Sequence, residues 1–149
     1  MPKRLMLAAI AVLLLSRFAA VQAAIPMMVA DGTLPGGASI VASADDSAIA
    51  VLKYVEMSDD GPREILVEAG AKVECLGKLF GGQAARVSGQ ATDSANAREP
   101  LSAQLYLVDG ADRGPDRLSL KLTRRNGSIV HFVPMTDLEA GDIAVNCGG

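Results

Sequence analysis

Tryptophan is absent, aromatic residues amount to two Tyr and three Phe, and there is a single histidine, His131. Each scarcity closes a class of function. One histidine excludes the HExxH zinc motif and any multi-histidine metal centre, and no cysteine cluster stands in for it. A copper site would need a second imidazole beside Cys147, His131 and Met135. Few aromatics argue against a sugar-stacking platform. No polybasic run is present, the densest pair being Arg124-Arg125, which speaks against nucleic acid and anionic membrane surfaces as partners. G-x-S-x-G and S-x-x-K nucleophile motifs are missing. The Gly70 to Lys78 stretch has the wrong glycine spacing for a phosphate loop. Cys75 with His131 is a remote nucleophile pair, because nothing in the spacing brings the two together.

What is present begins with an export signal. Lys3 and Arg4 precede an uncharged apolar stretch over residues 5–15, followed by Arg17 and the small-residue tail Ala19-Ala20-Val21-Gln22-Ala23-Ala24. That order is a signal peptidase substrate, with the cut expected after Ala23. The apolar stretch falls short of the ~20 residues that span a bilayer. Cleavage takes 23 of 149 residues, and with them Lys3, Arg4 and Arg17 but no acid. It leaves 126 residues with 11 basic against 17 acidic side chains and a net charge of −6. The product is expected to be secreted or periplasmic, without a membrane span, and long enough for one modest core. Both cysteines lie in the mature part. An even count in an exported chain favours a Cys75–Cys147 disulfide, a structural staple closing 72 positions.

From Gly32 onward, turn signals recur every 8 to 12 residues between alternating or apolar segments, the rhythm of an all-β sandwich or barrel. Strands are expected at 38–42, 49–57, 63–68, 71–76, 84–90, 102–108, 117–124, 129–133 and 142–146. A helix over 49–57 is the weakest point of that scheme. Residues 24–37, with Pro26, Pro35 and Gly36-Gly37, read as a loose lead-in to a single domain over 38–149. Leu118, Leu120 and Leu122 alternate with Ser119, Lys121 and Thr123, so one face is buried and the other wet. Asn126-Gly127 then predicts a two-residue type I′ hairpin turn. On the returning strand, alternation places His131 on the face of Ile129 and Val133.

Val73-Glu-Cys-Leu76, Ala84-Ala-Arg-Val-Ser-Gly89, Leu105-Tyr-Leu-Val-Asp-Gly110 with Asp116-Arg-Leu-Ser-Leu120, and Gly141-Asp-Ile-Ala-Val145 stand in a familiar order. Over about residues 71–147 the chain resembles a loose group of secreted bacterial β domains. That group implies a small two-sheet antiparallel β-sandwich and carries no assigned activity. Asp142 stands where the group usually has Asn, and Gly110-Ala-Asp-Arg-Gly-Pro115 replaces its usual Asn-Gly-Glu-Pro-Gly turn.

The acidic turns are the one constellation with chemical content. Asp109, Asp112 and Asp116 flank one, and Asp137, Glu139 and Asp142 another. Were the two loops to meet, hard oxygen ligands would converge as calcium requires. Arg113 and Arg117 compete for the same carboxylates. The reading is therefore an exported, non-enzymatic β-sandwich that binds a protein or envelope partner through its loops. The alternatives are a calcium-stabilised adhesion-like module on Asp109, Asp112 and Asp116, and a hydrolase using two facing carboxylates, one with a raised pKa. No other cofactor is expected.

Overall fold

The computed structural model describes residues 27–45 and 49–148. The export signal expected at 1–23 lies outside them. The described chain is all-β and antiparallel. Its strands are β1 (Met28–Thr33), β2 (Ser39–Ala44), β3 (Ile49–Ser58), β4 (Gly61–Val67), β5 (Lys72–Leu79), β6 (Gly82–Asp93), β7 (Leu101–Asp109), β8 (Arg117–Thr123), β9 (Ile129–Asp137) and β10 (Ala140–Val145). Residues 49–57 are strand, not helix. All ten strands are hydrogen-bonded into one sheet of order β10-β1-β2-β3-β4-β6-β7-β8-β9, with β5 on the flank of β6. The joint between its halves is narrow: only Ile65, Leu66 and Val67 of β4 pair with Ala91, Thr92 and Asp93 of β6.

Two expectations are corrected. The lead-in over 24–37 contains β1, which lies between β2 and β10. Its inward residues Met28, Ala30 and Gly32 are buried, so this part of the lead-in is a strand. Gly32 suits the position because a Cβ there would come 2.8 Å from the Ala140 carbonyl oxygen.

The β8–β9 hairpin also turns differently. Gly127 N–H donates to Arg124 O and Arg124 N–H to Ser128 O, closing a three-residue loop in which Gly127 alone has positive φ. Asn126 keeps negative φ and accepts from Ser128 N–H instead, so this is a type I turn with a glycine bulge rather than type I′. A second bulge follows. Leu122 pairs with His131 but Thr123 with Ile129, leaving Val130 as the extra residue. Ile129 is thereby turned outward, 59 % exposed, while His131 faces in with Leu122.

Leu118, Leu120 and Leu122 are fully buried in one core that also holds Leu105, Leu107, Ile40 and Leu52, each worth about 1.5–3 kcal/mol over exposure. The two ends of the sheet, β9 and β10, are consecutive in the chain and joined by Leu138-Glu139. Leu138 N–H donates to Asp116 O and Glu139 N–H to Thr33 O, which pins the turn between β8 and β1 and curls the sheet back on itself. Cys75 and Cys147 are joined as a disulfide with Cα atoms 5.6 Å apart, tying β5 to the segment after β10.

Candidate functional site

The two acidic turns do meet, but Asp109 and Asp116 are engaged by main-chain donors. Asp116 accepts from Gly110 N–H at 2.9 Å and from Ile143 N–H at 2.6 Å. Asp109 accepts from Ala111 N–H at 2.8 Å and from Val145 N–H at 3.2 Å. Ile143 and Val145 belong to β10, whose only sheet neighbour is β1, so the two aspartates fill the place of a missing strand along its open edge. Asp142 lies beside them. Burial, followed by the charges of Asp116 and Asp109, holds its carboxyl above the ordinary carboxylate range. The side chain of Asp112 lies outside the described ones, Glu139 is exposed, and Asp137 is 3.2 Å from Arg117 Nε. Among the described residues, no three of His, Cys, Asp or Glu are grouped to hold a metal.

A second polar group crosses between β9 and the β3–β4 side. Asp93, 1 % exposed, accepts from Arg63 Nε at 3.0 Å and Nη2 at 2.6 Å, and from Ala95 N–H and Asn96 Nδ2. Arg63 Nη1 reaches His131 Nδ1 at 3.1 Å. A guanidinium only donates, so Nδ1 is the bare nitrogen and Nε2 carries the proton. Nε2 lies 3.4 Å from Glu56 Oε2, off the hydrogen-bond direction, and Tyr54 Oη donates to the same oxygen at 3.2 Å. Burial lowers the pKa of His131, against the opposing pull of Glu56. Cys75 is locked in its disulfide, so it forms no nucleophile with this histidine.

The third feature is a pocket of about 530 Å³ where the β5–β6 turn faces the β7–β8 loop. Phe80-Gly81 form the turn with φ of 54° and 89°, the geometry of type I′. β6 starts so close to β7 that a Cβ on Gly82 would come 2.0 Å from the Asp109 carbonyl oxygen. Phe80 is 46 % exposed, with its ring edge-on to Tyr106 at 5.8 Å. A bulky residue in the left-handed region is uncommon. Ala111, across the pocket, has φ of 47°; these two are the non-glycine residues with positive φ among those described, and both line this pocket. Lys78, Gln83 and Arg113 supply its polar wall.

Comparison with known protein families, with curated proteins and with solved structures finds no match for the chain. Among the described residues no helix is long and apolar enough to cross a membrane. Residue-type reasoning centred on the aspartates and passed over Phe80, Gln83 and Ala111. The one local signal was Phe80 preceding Gly81-Gly82, a position in a tight turn where Asn, Asp or Gly is usual.

Proposed function

We propose that this chain is an exported, non-catalytic binding or envelope-associated domain. In this reading the halves of the curled sheet on either side of the β4–β6 joint are the facing layers of a sandwich, and the partner is met at the end formed by the β5–β6 turn and the β7–β8 loop. The carrying observation is the coincidence of Phe80 and Ala111, both in the left-handed region, on one pocket. Such backbone costs about 1–3 kcal/mol per residue and clusters at functional sites. A pocket of this volume falls in the range that holds small ligands or side chains of a partner. Export rests on the N-terminal signal pattern and fits the paired cysteines. The calcium and hydrolase readings draw less support, because Asp109 and Asp116 already spend their oxygens on main-chain donors.

Phe80→Asn separates a binding role from a folding role, since Asn suits the first position of a type I′ turn. Relief of strain offsets the lost Tyr106 contact, worth about 0.5–1.5 kcal/mol. The variant is expected to melt at or above the parent temperature while an immobilised sample loses the envelope components retained by the parent. A melting temperature several degrees lower, with retention unchanged, would show that Phe80 serves the fold.

A further inference from the structure

Resting on the loop end as the binding surface, we infer that its pocket takes a carboxylate attached to an apolar group, such as a peptide C-terminus ending in a hydrophobic residue or a free amphipathic acid.

Charge is the first argument. The mature chain is acidic, and Lys53, Arg63, Lys72, Arg86, Arg117 and Arg124 have carboxylate partners within the protein. Among the described residues Lys78, Arg98, Arg113, Lys121 and Arg125 have none, and two of these, Lys78 and Arg113, line this pocket together. Among the described residues the acid on the wall is Asp109, whose two oxygens accept from main-chain amides and which forms no ion pair with either cation. The pocket thus presents two unpaired cations in a molecule of opposite sign, an arrangement that favours an anion and steers it in.

Its other wall is apolar. Leu79 and Phe80 are exposed at the turn and continue onto Ala111, so the anion must arrive with a hydrophobic body attached. A third feature narrows the class further. Gln83 Oε1 is buried on the pocket wall and accepts no hydrogen bond, and a buried acceptor left unpaired carries a desolvation cost that a ligand N–H would remove. A C-terminal residue brings carboxylate, apolar side chain and amide N–H together; an amphipathic acid brings the first two. Inorganic phosphate or sulfate offers only the charge.

The test uses the purified full chain with its disulfide intact and four probes. These are a short peptide ending in leucine with a free carboxylate, the same peptide as its C-terminal amide, decanoate, and decylamine. Binding is followed by NMR through the main-chain amides of residues 78–83 and 111–113. The free-acid peptide is expected to shift these signals saturably and the amidated peptide to bind about tenfold more weakly, with Lys78→Ala and Arg113→Ala each producing a comparable loss. Decanoate binding as tightly as the acid peptide identifies the free amphipathic acid as the better occupant; weaker binding identifies the peptide terminus. If amide or decylamine matches the acid at these residues, the carboxylate class is overturned while the loop end stands as a binding surface. If no probe moves them at millimolar concentration, the carboxylate proposal falls. Retention of envelope components by the parent but not by Phe80→Asn then still tells whether the loop end itself binds.

Discussion

Asp142 sits beside two carboxylates whose oxygens are committed to main-chain amides, and that setting decides how Asp142 responds to acid. Asp109 and Asp116 each accept main-chain hydrogen bonds, whereas Asp142 meets desolvation, the negative charges of Asp116 and Asp109, and a hydrogen bond to Asp116 that favours its protonated form. Its folded pKa is raised above the unfolded one, so the fold prefers the protonated carboxyl. The sign follows: Asp142 costs stability at neutral pH, and the cost fades as pH falls through its folded pKa toward the ordinary value near 4. Asn carries the same shape without the charge. Asp142→Asn is expected to raise the melting temperature at pH 7 by roughly 1–3 °C, with the gap closing by about pH 4. Melting curves at the two pH values check this; a variant equal to or less stable than the parent at pH 7 would show that the carboxylate earns its place.

Among the elements, β9 depends most on a polar contact, because only β8 pairs with it in the sheet and its far side is held by His131 reaching Arg63. Removing Arg63 would strand Asp93, a buried carboxylate, and Arg63→Met is expected to cost about 3–5 kcal/mol in chemical denaturation. His131 adds a pH dependence. Its folded pKa is lowered by burial, so the fold favours the neutral ring; this stability is intact above the unfolded pKa near 6.5 and is lost as pH falls below it. His131→Gln should flatten the stability profile between about pH 6.5 and pH 5, and an unchanged slope there would acquit the histidine. This element also shows how far sequence patterning reaches. Alternation at Leu118, Leu120 and Leu122 located β8 and the returning strand. Strand periodicity carries no mark of a bulge, so the one extra residue at Val130 that turns Ile129 outward could not be read. The candidate site was hidden for a related reason: Phe80 and Ala111 matter through backbone conformation, and conformation at a single residue leaves little trace in residue type.

At the scale of the molecule, the sheet closes through side chains and single main-chain contacts rather than through a strand ladder. The open edge of β10 is covered by Asp109 and Asp116, the β9–β10 turn is pinned by Asp116 and Thr33, and the disulfide fastens the chain end to β5. These links are local and polar, whereas the leucine core of β7 and β8 is continuous and apolar, so the closure is the weaker part. The pairing of Cys75 with Cys147 restricts the unfolded chain over 72 positions, worth roughly 4 kcal/mol on the entropic account. Reduction is therefore expected to lower the melting temperature by on the order of 10 °C. Below that transition, β10 should loosen first. In hydrogen exchange on the reduced protein, the amides of Ile143 and Val145 should lose protection while those of Leu105 and Leu120 keep it. Equal loss at all four positions would mean that the curl and the core open as one unit, and that the aspartates at the β10 edge hold as firmly as a neighbouring strand.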